Sequence, residues 1–456
     1  MIRPFRRVAT ALALLLIALL ANLSWVQVLE ADSLRTRPGN ARTVLEQFNR
    51  ARGPIIVGSR PIATSSRAGA DGFYQRSYAN GPLYAGITGY YSLLYGATGI
   101  ERSQDGVLSG TDPRFFVDRV QQLFAGRHQA GGAVTLSVDA AAQRAAFDGL
   151  AARRGATIAI DAHTGAILAL VSAPAFDPQV LAPNDPAQVR NAYAALSSDP
   201  AHPLLNRAIG VTYAAGSTFQ LVAAAAALAS NRFRADTVLP GPARLGTIAT
   251  SDGRPCGTDG RVTLARALET HCATAFASLG NAIGGDALRG MATHLGFGTT
   301  PMAELTTTQS VIATRADSTR LAAIGRGAST TVLQLAMVAA AIANRGTLMD
   351  PYIVEDVRAQ DLAVLDHASP TVRATVLSHR DADALTTMLR GIDGVTGCTE
   401  CSIGNLTVHA VTSDTGWFVG FAGHIAIATV VEGAHGADAA RAAAMPVLRA
   451  ILARTR

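Results

Sequence analysis

The chain has 456 residues, enough for two or three domains around a substantial core. Apolar residues make up 49% of it and charged residues 16%, which excludes an intrinsically disordered chain. The formal charge is +6, but the arginines form no dense block beyond Arg3, Arg6 and Arg7, so the charge does not point to nucleic acid. All 39 basic residues are arginine, and without a lysine the protein has no amine side chain to offer as a general base.

Arg3, Arg6 and Arg7 form a basic tip over residues 1–7, ahead of an apolar run over 8–29. Roughly 20 apolar residues cross a bilayer as a helix, and flanking arginines hold their end in the cytoplasm. The expectation is a single-pass anchor with Trp25 near its outer end and the rest of the chain outside the cytoplasm. A cleaved signal peptide is the competing reading, but no small-x-small site follows the apolar core. Residues 30–52 read as a polar helix. Residues 54–130, rich in Gly, Tyr, Ser and Thr, read as a strand-and-loop module that closes at a joint over 127–132. The expected domains are therefore an N-terminal module over 30–132 and a larger domain over 133–456.

From Val134 the texture changes to a strand, then an alanine-rich helix to Arg153. Residues 156–160 and 166–171 are β-type runs, with Asp161-Ala162-His163-Thr164-Gly165 as the turn between them. In that turn Asp161 and His163 are read as structural. Helices are predicted over 217–229, 264–279 and 333–343, then strands over 406–411, 417–421 and 425–431, then a helix over 437–454. Two strands, a helical block, three strands and a closing helix give an α/β (α+β) order: one antiparallel sheet with helices on both faces.

Cys256, Cys272, Cys398 and Cys401 suit an oxidising compartment, and four cysteines allow three pairings. The local solution joins Cys256 to Cys272 and Cys398 to Cys401. A zinc site at Cys398-Thr399-Glu400-Cys401 is disfavoured, because only one such pair is present.

Ser217 lies in Tyr213-Ala214-Ala215-Gly216-Ser217-Thr218-Phe219-Gln220, where loop leads into helix. At a helix start the free N–H groups favour a developing oxyanion. Residue 220 shares the serine's face one turn on, and a lysine there would complete the S-x-x-K device of serine β-lactam-reactive enzymes.

On these residues the chain resembles a class B penicillin-binding protein, in particular the actinobacterial penicillin-binding protein A type. Arg52-Gly53-Pro54-Ile55 resembles the entry signature of that family, and Gly89 to Thr98 resembles its N-terminal module. That likeness implies that the module over 30–132 is a pedestal of dimerisation-like type. Ala159 to Pro174 is similar to the hairpin that opens the transpeptidase domain. Ala322-Ala323-Ile324-Gly325-Arg326-Gly327, Leu333-Gln334-Leu335-Ala336 and Trp417 to Ala422 resemble later segments in the same order. The resemblance implies a peptidoglycan D,D-transpeptidase that needs no metal or cofactor. Its serine takes an acyl group from a D-Ala-D-Ala stem peptide, or from a β-lactam.

The departures fall on the three catalytic motifs. Ser217 is kept, but Gln220 replaces the lysine. S-x-N becomes His271-Cys272-Ala273, and K-T-G aligns with Val411-Thr412-Ser413, or alternatively with Asp414-Thr415-Gly416. A glutamine amide takes no proton at workable pH. Ala273 offers the substrate amide no hydrogen bond, and Val411 offers a substrate carboxylate no charge; only Thr412 keeps a hydroxyl. The expectation is a degenerate homologue that acts in cell-wall synthesis and division through partners, a membrane polymerase and division-complex proteins above all. One alternative is a residual transpeptidase or carboxypeptidase with His271 as replacement base. Another is a β-lactam or muropeptide sensor.

Overall fold

The computed structural model describes residues 12–20, 22, 25, 50–68, 73–115, 130–151, 153–312, 319–390, 403–409, 415–433 and 436–454. Residues 12–20 are helical and exposed, and the rest of the predicted anchor lies almost wholly outside the described residues. Among the described residues no helix is long and apolar enough to cross a membrane.

Two sheets organise the chain. Their strands are β1 (Ile55–Val57), β2 (Arg60–Arg67), β3 (Tyr74–Tyr78), β4 (Ala133–Leu136), β5 (Gly155–Asp161), β6 (Ile167–Ala173), β7 (Val354–Arg358), β8 (Val364–His367), β9 (Ile403–His409), β10 (Thr415–Ala422) and β11 (Ile425–Glu432). The helices that position the site are α1 (Gly81–Thr88), α2 (Ala140–Leu150), α3 (Gln220–Ala229), α4 (Leu264–Glu269), α5 (Ala273–Ile283), α6 (Val332–Ala343) and α7 (Gly436–Leu452).

The predicted antiparallel sheet is present, with strand order β9-β10-β11-β5-β6. β5 and β6 are buried almost throughout, as their unbroken apolar runs require of strands covered on both faces. α2 and α7 cover one face, where Ala146, Leu150, Phe418, Ile427, Ala443 and Leu448 pack together. α6 covers the other. Asp139 starts α2 by accepting hydrogen bonds from the Ala141 and Ala142 amides at 2.8 Å, an N-cap that relieves two of the first-turn donors. The buried Gln143 bolts α2 to its surroundings, donating to the carbonyls of Leu83 and Leu170 and accepting from the Leu170 amide.

The second sheet has order β8-β7-β4-β1-β2-β3, with β1 and β4 parallel. The predicted boundary at 132/133 cuts through it, because β4, β7 and β8 all come from beyond that point. Its core holds an ion cluster of three buried members, Arg52, Arg76 and Glu101, with the half-exposed Asp105 at its edge. Glu101 lies between Arg52 and Arg76, each 2.6 Å from one carboxylate oxygen, and Arg52 reaches Asp105 at 2.6 Å as well. Gly53 is required beside Arg52, since a Cβ there would sit 1.7 Å from the Gly132 carbonyl oxygen.

Two helix predictions need correction. The run over 264–279 is two helices, α4 and α5, broken where His271 takes the left-handed conformation at φ 53° and Cys272 caps α5. The helix over 217–229 begins as a 3-10 turn, Gly216–Phe219, and becomes α-helical only at Gln220.

Candidate active site

Ser217 sits inside the 3-10 turn rather than at the start of the α-helix, and the side chains of residues 217 and 220 fall on one face, since i and i+3 eclipse in that geometry. The Gln220 amide N–H donates to the Ser217 carbonyl. The turn is held from behind at several points. Ala215 N–H donates to the Ala328 carbonyl at 3.0 Å, and Trp417 Nε1 donates to the Ala214 carbonyl at 3.2 Å. The Tyr213 hydroxyl donates at 2.9 Å to Glu432, a carboxylate that also takes Arg207 and Arg154. Burial, then the adjacent Glu432 carboxylate, pushes the Tyr213 phenol far above its ordinary range, so it stays a donor.

Gly216 has φ 53° and Gly325 φ 76°. A Cβ at Gly325 would lie 1.9 Å from the Gly216 carbonyl oxygen, so the segment 322–327 touches the nucleophile turn backbone to backbone. Gly325→Ala therefore combines left-handed strain of roughly 1–2 kcal/mol with overlap of about 1–3 kcal/mol. Its unfolding midpoint, read by scanning fluorimetry on the full chain, should fall by several degrees; a parent-like midpoint would show that the turn can move aside.

The three motif elements converge. α3, which carries Gln220, packs on α5, which opens at Ala273, and β9 lies against the Ser217 turn. Ser217 is 6% exposed, and its hydroxyl has no hydrogen-bond partner among the described residues. Gln220 is fully buried, and neither amide atom finds a partner among the described residues. A buried polar group left unsatisfied costs about 1–3 kcal/mol, so position 220 carries a polar side chain against the interest of stability.

His271 is half-buried on the loop between α4 and α5, and Ala273 is the first residue of α5. The middle residue of the motif, Cys272, is disulfide-bonded to Cys256, which selects the local pairing predicted for the first two cysteines. Cys398 and Cys401 lie outside the described residues, as do Val411, Thr412, Ser413 and Asp414. β9 is an edge strand. In the alternative register Thr415 and Gly416 fall on β10, one strand further in, where Gly416 pairs with His409. Asp161 and His163 act as structural turn residues: Asp161 Oδ1 accepts from the amides of His163 and Thr164, and His163 stacks on His424. Arg76, Glu101 and Glu432 were not legible as partners in the sequence; only Arg52, within the family-like Arg52-Gly53-Pro54-Ile55, gave a signal.

The chain belongs to the penicillin-binding transpeptidase family. Residues 155–453 match the penicillin binding protein transpeptidase domain, and residues 52–134 match the penicillin binding protein A dimerisation domain. It is 40% identical over 406 residues to the peptidoglycan D,D-transpeptidase PbpA of Mycolicibacterium smegmatis, covering 86% of this chain and 82% of that one. It is 34% identical over 480 residues to PbpA of Mycobacterium tuberculosis, covering 98% and 97%. The structure of penicillin-binding protein A from M. tuberculosis as an imipenem acyl-enzyme complex aligns with a TM-score of 0.83 at 33% identity, over 89% of this chain and 100% of that one.

Proposed function

We propose that this protein is a catalytically degenerate penicillin-binding protein of peptidoglycan synthesis, anchored by residues 8–29 with its transpeptidase-like domain outside the cytoplasm. It acts through partners of the cell-wall polymerase and division machinery rather than by cross-linking stem peptides. The observation that carries this reading is Gln220: a neutral amide, fully buried, on the face of Ser217 where the family's device needs an amine, in a chain without lysine. The replacement of S-x-N by His271-Cys272-Ala273 and the absence of lysine around Val411 point the same way. Loss of a general base costs on the order of 10²–10⁴ in rate.

The test is intact mass analysis of the full chain, in detergent, after incubation with a labelled penicillin. The expected result is the unmodified mass. A stoichiometric adduct on Ser217 would overturn the proposal and favour residual acyl transfer.

The second reading rests on two observations: the Ser217 turn is intact, and an imidazole stands at the first position of the second motif. A histidine titrates near neutrality and serves as a base in its neutral form. On that reading His271→Ala lowers any slow labelling at least tenfold, and labelling that is equal in parent and variant removes His271 from the chemistry.

A further inference from the structure

A half-open cavity of about 400 Å3 lies between α1 with the loop that follows it and the segments around Phe176, Tyr193 and Leu205, away from the Ser217 turn. We propose that it binds a saccharide carrying a carboxylate. The volume lies within the range of small-ligand pockets, which join apolar walls to a few convergent polar groups. Small and aliphatic residues form much of the wall, and three aromatic rings join them: Tyr90 meets Phe176 edge-on at 6.2 Å, and Tyr193 forms one side with Tyr95 stacked on it at 3.8 Å.

Three polar groups of the lining, on Tyr90, Tyr193 and Arg102, are uncommitted among the described residues, whereas Ser172 and Asn206 are tied to the backbone. The hydroxyls of Tyr90 and Tyr193 make no hydrogen bond to any described residue. Arg102, exposed at the rim from the helix Gly99–Ser103, has neither an ion pair nor a side-chain hydrogen bond among the described residues. Its neighbour Glu101 does not neutralise it, because that carboxylate is buried and held by Arg52 and Arg76. Thr306 adds a hydroxyl to the lining, and Thr98 another whose oxygen already accepts from the Tyr90 amide at 3.2 Å. One guanidinium fits one carboxylate by paired, charge-assisted hydrogen bonds. Aromatic faces edged with hydroxyls suit a ring that is apolar on its C–H face and hydroxylated at its rim, which describes a pyranose better than an aryl acid. The cavity takes residues from both the N-terminal module and the transpeptidase domain, so a bound sugar would bridge the two.

The test is ligand-observed NMR titration of the full chain in detergent with three probes: N-acetylmuramic acid, neutral N-acetylglucosamine and phenylacetate. We expect saturation transfer to N-acetylmuramic acid, with at least tenfold weaker binding of the other two. Arg102→Gln should weaken the acidic sugar at least tenfold while leaving the unfolding midpoint unchanged, as suits an exposed side chain. Tyr193→Ala should weaken both sugars. Absence of N-acetylmuramic acid binding, equal affinity in parent and Arg102→Gln, or phenylacetate binding as tightly as the sugar acid would each overturn the proposal. The probes carry no stem peptide, so these outcomes leave the reading of Ser217 untouched.

Discussion

Glu101→Gln is expected to cost about 3–5 kcal/mol of stability, because removing one partner of a buried ion cluster strands the others. Arg52 and Arg76 are 6% and 2% exposed and would face a neutral amide. On heating, the midpoint should fall by about 10 °C, taking roughly 2–4 °C per kcal/mol for a domain of this size. A midpoint within a degree or two of the parent would mean that Asp105 and the carbonyls of Arg52, Gly53 and Glu101 already satisfy both arginines. The same cluster sets an acid limit. Burial alone would push the Glu101 carboxyl up, but the guanidinium groups of Arg76 and Arg52 more than offset it and hold the group below the ordinary carboxylate range. A depressed acid contributes stability that is present above its unfolded pKa and lost as pH falls through the lower, folded one. The parent should therefore lose stability below the ordinary carboxylate range along a steeper curve than Glu101→Gln, which has no carboxyl to protonate.

The second large effect is a gain. Gln220→Lys should raise penicillin labelling of Ser217 by at least tenfold, measured by intact mass against time. The new amine would enter a site with no exposure to water. Desolvation lowers a lysine's pKa, and the neutral amine is the form that takes the serine proton. Recovery should stay short of the full range of about 10²–10⁴ for a general base, because the motif groups act as one unit and the second and third motifs remain altered. Adding His271→Ser and Ala273→Asn should raise it further, and Ser217→Ala should abolish it. If Gln220→Lys folds and labels no faster than the parent, the missing base is not what silences Ser217.

Local patterns announced the transpeptidase sheet. The apolar runs of β5 and β6, the turn at Asp161 and the strands around Trp417 and Ile427 all appear near their predicted places, because a fully buried strand leaves its mark in its own residues. The break at His271 was not legible. Residues 264–279 contain no glycine or proline to mark a break, and what interrupts them is a left-handed histidine beside a cysteine tied to Cys256, sixteen residues away. The Arg52–Glu101–Arg76 cluster was hidden for the same reason: each charge is ordinary alone, and only the fold brings them together. At the candidate site the serine, the glutamine and the altered second motif were readable by position. The 3-10 turn and the backbone contact of Gly325 with Gly216 were not, since both come from packing between distant segments.

The parallel pairing of β1 with β4, and the antiparallel pairing of β4 with β7, have a consequence for how the chain matures. β1 to β3 are made early, yet their sheet is complete only once residues 354–367 have been delivered. If the chain beyond the anchor emerges in order of synthesis, the early strands wait with an open edge while most of the transpeptidase domain is still being made. The N-terminal module is thus sewn shut by the domain that follows it, and a fragment ending just after β4, near residue 138, would expose the β4 edge that β7 covers.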